Sequence, residues 1–467
     1  MPETLTQTKT KVRVGTLIGV LFAGAAMMAA MGYTVYKGAY KNEQIIPQSI
    51  VKKKASGPNI KDLFPVLVYK AGWPRSISGL PSRTTVGDID ADKKPEIIFG
   101  TNEHLVYALN DDGSEVPNWP IKIDEYLGTS VPAIGDLDLD GKLDVVISTN
   151  KAVYAFSGNA DIKNGFPKTL DNLASERTPV ISDITSDNKM EIAAFGDRII
   201  YVISNAGEIV SGWPKETSEK ISSDLATANL DSDTKSEIIF TSLSSGKNEL
   251  SVLKNNGQTL SGYPKTIDSA SANMEVVIGN VTNKTDMNII VSTKEKDILV
   301  YSKTGEQLLT INFEDGVSDL ALGDVDNNEI ANISFANKSG VHVLGELGSE
   351  IKGWPKTAAQ TIKYINLADI NDDKNIEVLG TSDDRIYAWK NNGEEIRDSW
   401  PLATESKGGN FLTYPSLSDV DNNKVLEVIS SLSDSSVYIW NLSDFFDKSG
   451  KAEWPMKRAD VRNSGSL

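Results

Sequence analysis

From about residue 85 the chain is a series of short apolar bursts separated by polar steps, and their order recurs. A small-residue stretch such as VPAIG meets an acidic loop. Then come a run such as DVVIS, a second run such as AVYAF, a turn and an aromatic–proline pair; in most copies the turn carries glycine. Runs of four to six apolar residues, rich in β-branched and aromatic types and bounded by Asn-Gly-like steps, predict strands joined by hairpins. The first loop positions fall at 88, 136, 183, 229, 280, 324, 369 and 419, so the period is 44 to 51 residues. Four short strands in a period of ~40 to 50 residues predict a propeller blade. One blade cannot bury both its faces, whereas a closed ring of blades can. The expected fold is therefore all-β: a β-propeller of eight four-stranded blades over residues 65–467, with seven as the alternative because the fifth copy is degenerate.

The aromatic–proline pairs are Trp119-Pro120, Phe166-Pro167, Trp213-Pro214, Tyr263-Pro264, Trp354-Pro355, Trp400-Pro401 and Trp454-Pro455; the fifth copy lacks one. An aromatic ring at a fixed place in each repeat is what packing between blades requires, and proline suits an outer strand. The competing reading is a stacking platform for sugars. One additional pair, Trp73-Pro74, precedes the first copy and is expected to complete the last blade and latch the ring.

The hydropathy pattern changes before the repeats. Residues 14–35 carry no charge, and at ~1.5 Å per residue they would span roughly 33 Å, enough for a bilayer core of about 30 Å. The expected organisation is a cytoplasmic N-terminus at 1–13, a transmembrane signal-anchor helix at 14–36 and a polar tether at 37–64. Cleavage as a signal peptide, giving a secreted protein, is the alternative. Either route exports the repeats.

Net charge is −17, which disfavours nucleic acid and suits cations. No cysteine is present, and the two histidines, His104 and His342, sit in alternating runs that predict strand positions rather than ligands. The acidity concentrates in the loops. Counting from the first loop position, side-chain oxygens recur at one, three, five and nine. The first copy has Asp88, Asp90, Asp92 and Glu96; the second has Asp136, Asp138, Asp140 and Asp144. The third has Asp183, Thr185, Asp187 and Glu191, and the fourth Asn229, Asp231, Asp233 and Glu237. The sixth has Asp324, Asp326, Asn328 and Asn332; the seventh Asp369, Asn371, Asp373 and Glu377; the eighth Asp419, Asp421, Asn423 and Glu427. The fifth, with Asn280, Thr282, Lys284 and Asn288, keeps no carboxylate, and Lys284 is expected to put its ammonium where a cation would sit.

The D-x-D-x-D-G-x-x-D pattern at 136–144, followed by a strand, resembles the FG-GAP repeat of integrin α-subunit propellers and the VCBS-type repeats of surface proteins. The second run and turn are also similar to quinoprotein-type repeats, but a vicinal cysteine pair is impossible here, so a quinone is unsupported. The resemblance implies calcium in the hairpin between the first two strands of each blade. Ligands would be the side chains at positions one, three, five and nine and the carbonyl at position seven: Lys94, Lys142, Lys189, Lys235, Ile330, Asn375 and Val425. Glycine at position six occurs once, as Gly141.

Physical chemistry points the same way. Crowded carboxylates repel one another unless a cation neutralises them. Calcium takes six to eight oxygens in flexible geometry, zinc and copper would want His or Cys, and magnesium prefers to keep its waters. The expectation is several calcium ions, one per intact loop, weakest in the sixth copy and absent from the fifth. The expected function is a membrane-anchored, cell-surface adhesion or recognition module for a protein or glycan. Alternatives are a polysaccharide lyase or hydrolase on the same propeller, or a scaffold subunit of a cell-envelope complex. No HExxH, nucleophile elbow or P-loop is present, so no catalytic residue is assigned.

Overall fold

The structure, a computed structural model, describes residues 69–467 apart from 129, 175–176, 232, 397–399, 405–408 and 461. The expected N-terminal stretch, membrane span and tether all lie outside these residues. Among the described residues no helix is long and apolar enough to cross a membrane.

Eight antiparallel sheets follow one another along the chain. Blade 1 consists of Thr85–Gly87, Glu96–Gly100, Leu105–Leu109 and Ile121–Lys122, paired in chain order. Blades 2 to 8 begin at Ala133, Val180, Ala226, Glu275, Ala321, Tyr364 and Ser416. The second strands read EIIF or DVVIS without polar alternation because both faces are covered. Ile97 and Phe99 pack with Val420, Ile429, Val437 and Ile439 of blade 8, while Ile98 packs with Ile134, Val145 and Ile147 of blade 2. The count of eight stands. Six blades have four strands. Blade 6 has three, its fourth reduced to the single bridge Val341–Lys356 beside Pro355. Blade 7 has five, the extra one being Ala452–Trp454.

The ring closes as the additional aromatic–proline pair foretold. Arg75–Ser76 forms the outer strand of blade 8, with Arg75 opposite Val437 and Ser76 opposite Ser436. The aromatic rings staple neighbouring blades. Trp119 Nε1 donates to the Gly158 carbonyl of blade 2 at 2.9 Å, and Trp213 Nε1 to Asn255 of blade 4 at 2.8 Å. Trp354 Nε1 donates to Asn391 of blade 7, Tyr263 Oη to Ser302 of blade 5, and Trp73 Nε1 to Asp111 of blade 1. Gly158 lies so close to blade 1 that a Cβ there would come within 1.7 Å of the Ile89 carbonyl oxygen. These rings are buried, which removes the sugar-platform reading.

Trp454-Pro455 is the exception. It belongs to no blade turn but to a C-terminal segment running along the innermost strands. Ala452–Trp454 pairs with the first strand of blade 7. Leu417 N donates to the Pro455 carbonyl, Ile181 N to Arg462, Thr227 N to Ser464 and Ile278 N to Gly465. The segment thus bonds to the first strands of blades 3, 4, 5, 7 and 8, and Asn463 Nδ2 adds Pro132 of blade 2 at 3.5 Å.

This segment also completes a buried charge network. Lys294 is bonded to Glu275 at 2.8 Å and to Asp319, and Lys457 of the tail reaches Asp319 at 3.0 Å. Burial alone would raise the Asp319 carboxyl, but Lys294 and Lys457 hold it well below the usual range. Replacing Lys294 by Met takes from Glu275 the ammonium bonded to it. The expected cost is about 3–5 kcal/mol, read as a lowered urea midpoint; a loss under about 1 kcal/mol would show that the network contributes little.

Candidate metal centres

Each acidic loop joins the first and second strands of its blade, as expected. One interaction recurs in all eight. An oxygen of the position-nine side chain accepts the backbone N–H of position two. Glu96 accepts from Ile89 at 2.8 Å, Asp144 from Leu137 at 3.1 Å, Glu191 from Ile184 at 2.9 Å and Glu237 from Leu230 at 2.8 Å. Asn288 accepts from Val281 at 3.1 Å, Asn332 from Val325 at 2.7 Å, Glu377 from Ile370 at 3.0 Å and Glu427 from Val420 at 3.0 Å. The asparagines show that this bond needs an acceptor and no charge.

Position one accepts the N–H of position six, as Asp88 does from Lys93, Asp136 from Gly141 and Asp419 from Lys424. Position five accepts from position seven: Asp92 from Lys94, Asp140 from Lys142, Asp187 from Lys189, Asp233 from Lys235, Asn328 from Ile330, Asp373 from Asn375 and Asn423 from Val425. These bonds curl the loop and force positive φ at positions four and six: Ala91 and Lys93, Leu139 and Gly141, Ser186 and Asn188, Asn327 and Glu329, Asp372 and Lys374, Asn422 and Lys424. A left-handed non-glycine residue costs about 1 kcal/mol, so glycine at position six is not required. In the fourth loop Thr234 shares this conformation; in the fifth, Asn283 and Thr285 do not.

Four loops gather three carboxylates whose oxygens lie within 4.8 Å of one another: Asp88, Asp90 and Glu96; Asp136, Asp138 and Asp144; Asp231, Asp233 and Glu237; Asp419, Asp421 and Glu427. Such groups can hold a metal ion. In the third loop Thr185 Oγ1 caps Glu191, and in the seventh Asn371 Nδ2 caps Glu377, each at 3.3 Å. The sixth loop has only two carboxylates at these positions, Asp324 and Asp326, because Asn328 and Asn332 stand at positions five and nine. Lys284 does not enter the fifth loop. With no carboxylate there to attract it, its ammonium pairs with Glu329 of blade 6 at 2.5 Å. His104 is also corrected: it occupies a turn at φ 66° rather than a strand, while His342 lies in the strand Gly340–Leu344.

The second oxygen of residue nine is the telling atom. Glu96, Glu237 and Glu427 are at most 1% exposed, and Oε1 of each has no hydrogen-bond partner. Burial, together with the flanking Asp carboxylates, pushes Glu96, Glu377 and Glu427 up to about 8 and Glu237 to about 7. Sequence reasoning missed Lys163, whose ammonium sits in the second loop, 2.7 Å from Asp138 and 2.9 Å from Asp144. The available signal was a lysine just after the turn where sister repeats carry Val116, Val210 and Leu260.

The ring and its acidic first hairpins define a β-propeller whose repeats present oxygen-lined loops. Residues 88–147 match the FG-GAP-like repeat family, and the match spans the first two acidic loops of an eight-bladed β-propeller. No curated protein matches the sequence. Among solved structures, the Dos1 propeller is 12% identical over 82% of this chain and 97% of its own, with a TM-score of 0.50. BamB from Moraxella catarrhalis is 14% identical over 79% and 100%, with a TM-score of 0.47. The V. cholerae biofilm matrix protein Bap1 is 14% identical over 85% and 96%, with a TM-score of 0.45. At such identities the likeness concerns fold alone.

The pH dependence follows from the glutamates. Their folded-state values lie above the unfolded value of about 4.3, so the folded chain holds these protons more tightly. Stability therefore falls as pH rises from about 4.3 towards 8 and levels off above it. Metal-free protein is expected to lose melting temperature between pH 5 and pH 8, and calcium is expected to abolish the slope. Calorimetry at both pH values checks this; a flat or rising metal-free profile contradicts it.

Proposed function

We propose that the protein is a membrane-anchored, extracytoplasmic propeller that calcium stiffens through its acidic loops, and that it serves as a recognition or adhesion module for a protein or glycan. The observation that carries the calcium reading is the unpartnered Oε1 on the buried Glu96, Glu237 and Glu427. An acceptor at position nine suffices for the loop, as Asn288 and Asn332 demonstrate, so the charge answers to something else. An all-oxygen donor set with no His or Cys suits calcium. The ion would be held by the carboxylates at positions one, three and nine in blades 1 and 8, and at three, five and nine in blade 4. It would neutralise charge and brace two strands.

The anchor reading is supported by the uncharged run at 14–35. Export would place the loops where calcium is abundant. The recognition reading draws on the rim opposite the acidic loops. There the blade-to-blade connections meet the turns between second and third strands, as in Asn102 N to the Leu80 carbonyl and Asn150 N to Tyr126. That rim exposes Leu80, Tyr126 and Leu412.

Two measurements on the full chain test this. At calcium 100-fold above Kd each occupied site should add about 2.7 kcal/mol, so the melting temperature should rise with calcium and fall with chelator. Identical melting in both contradicts the calcium reading. On arrays of glycans and of extracellular proteins the chain should be retained, and Tyr126→Ala should weaken retention; no retention on either array contradicts the recognition role.

A further inference from the structure

The second loop has the sequence closest to the repeat's acidic pattern, and its Asp136, Asp138 and Asp144 gather as tightly as the groups in blades 1, 4 and 8. It differs from them in one respect. Where Glu96, Glu237 and Glu427 each keep a buried oxygen without a hydrogen-bond partner, Asp144 Oδ1 receives the Lys163 ammonium at 2.9 Å. The same nitrogen bonds Asp138 Oδ2 at 2.7 Å. Lys163 therefore bridges positions three and nine of its own loop, from a side chain 13% exposed against an Asp144 2% exposed.

Neighbouring lysines do not do this. Within their loops, Lys254 in blade 4 and Lys70 at blade 8 reach the position-three carboxylates, Asp231 and Asp421, and not position nine; Lys70 also pairs with Asp111 of blade 1 at 3.9 Å. In those loops Oε1 of Glu237 and Glu427 still has no hydrogen-bond partner.

Two departures from the repeat act together in blade 2. The backbone N–H of Lys163 bonds the Ala155 carbonyl, and the same bond is made in other blades by Val116, Val210, Leu260, Ile351 and Ile396. A lysine thus occupies a place where five sister repeats put an aliphatic side chain. The second departure is Asp144 itself. Each other charged position nine is a glutamate: 96, 191, 237, 377 and 427. The shorter aspartate withdraws the carboxylate by one methylene, leaving room for a nitrogen between it and Asp138. Lysine and shortened acid make a matched pair, built from a turn and a loop of the same blade on the same rim.

We propose that Lys163 is a tethered counter-ion for the second loop: its ammonium takes the position a divalent cation holds in blades 1, 4 and 8, so this loop is neutralised without metal. The inference rests on the calcium reading of those other loops. To enter blade 2, calcium must displace an ammonium held by two charge-assisted bonds at high effective concentration. Blade 2 therefore keeps its hairpin curled at any calcium level, while blades 1, 4 and 8 respond to the ion.

Equilibrium dialysis of the full chain against radioactive calcium, held just high enough to saturate the tight sites, tests this. Lys163→Leu, which installs the side-chain type of the sister repeats, is expected to bind one more ion per chain and to tighten that site by at least about tenfold. The reverse change, Val116→Lys with Glu96→Asp in blade 1, is expected to lose one ion. Circular dichroism checks that both variants fold, and each is read independently of the other. If the unaltered chain binds calcium and Lys163→Leu binds the same number with the same affinity, the counter-ion inference fails while the calcium reading stands. If neither chain binds calcium, both fail.

Discussion

The hydrogen bond from the position-two N–H to the position-nine side chain is the contact on which each blade depends. It is present in all eight hairpins at 2.7–3.1 Å. Position nine opens the second strand, which is sandwiched between neighbouring blades, so its side chain is buried wherever it occurs. An amide there is satisfied with little electrostatic strain. A carboxylate there brings a charge out of water beside other carboxylates, and that cost is met by a cation, by a hydrogen-bond donor or by uptake of a proton. The repeat therefore couples a structural bond to an electrostatic demand in one side chain, and the blades differ in how they answer it. Blades 5 and 6 remove the charge, blades 3 and 7 cap it with Thr185 and Asn371, and blade 2 supplies an ammonium.

Much of this was legible in the sequence because it is local and repeated. Strand runs, hairpin steps and loop acids recur in phase, and in-phase recurrence is what a ring of similar blades imposes. The N-terminal latch was readable because Trp73-Pro74 is a surplus copy of an outer-strand signal. The same signal misled at Trp454-Pro455, where an identical dipeptide serves an innermost strand. Carboxylate number was a poor guide to convergence. The third and seventh loops each have three, yet Thr185 and Asn371 turn their hydrogen-bond donors onto residue nine. Lys163 escaped because its partners lie 19 and 25 residues away, beyond any helix or hairpin spacing. The tail escaped because residues 456–467 have no apolar period, their burial coming from bonds to other blades' edges.

The two rims have different characters. On one, acidic hairpins and aromatic-bearing turns are bound to each other across blade boundaries, through Trp119 to Gly158 or Trp213 to Asn255. On the other, blade-to-blade connections and short turns leave Leu80 and Tyr126 open to solvent. The acidic rim too exposes apolar side chains, Leu139, Ile162 and Leu347, so the rims differ in charge and in cross-blade bonding rather than in apolar exposure.

The axial segment imposes an order of events on synthesis. Blades 3, 4 and 5 are complete in sequence long before residues 451–467 emerge, yet their innermost strands finish their backbone pairing with that segment. The outer strand of blade 8 must likewise wait for Ser436–Asn441. A nascent propeller consequently carries unpaired strand edges around an open centre until translation has passed its final repeat, and exposed edges are where chains mispair. The molecule is assembled like a barrel whose hoop and bung both go in last.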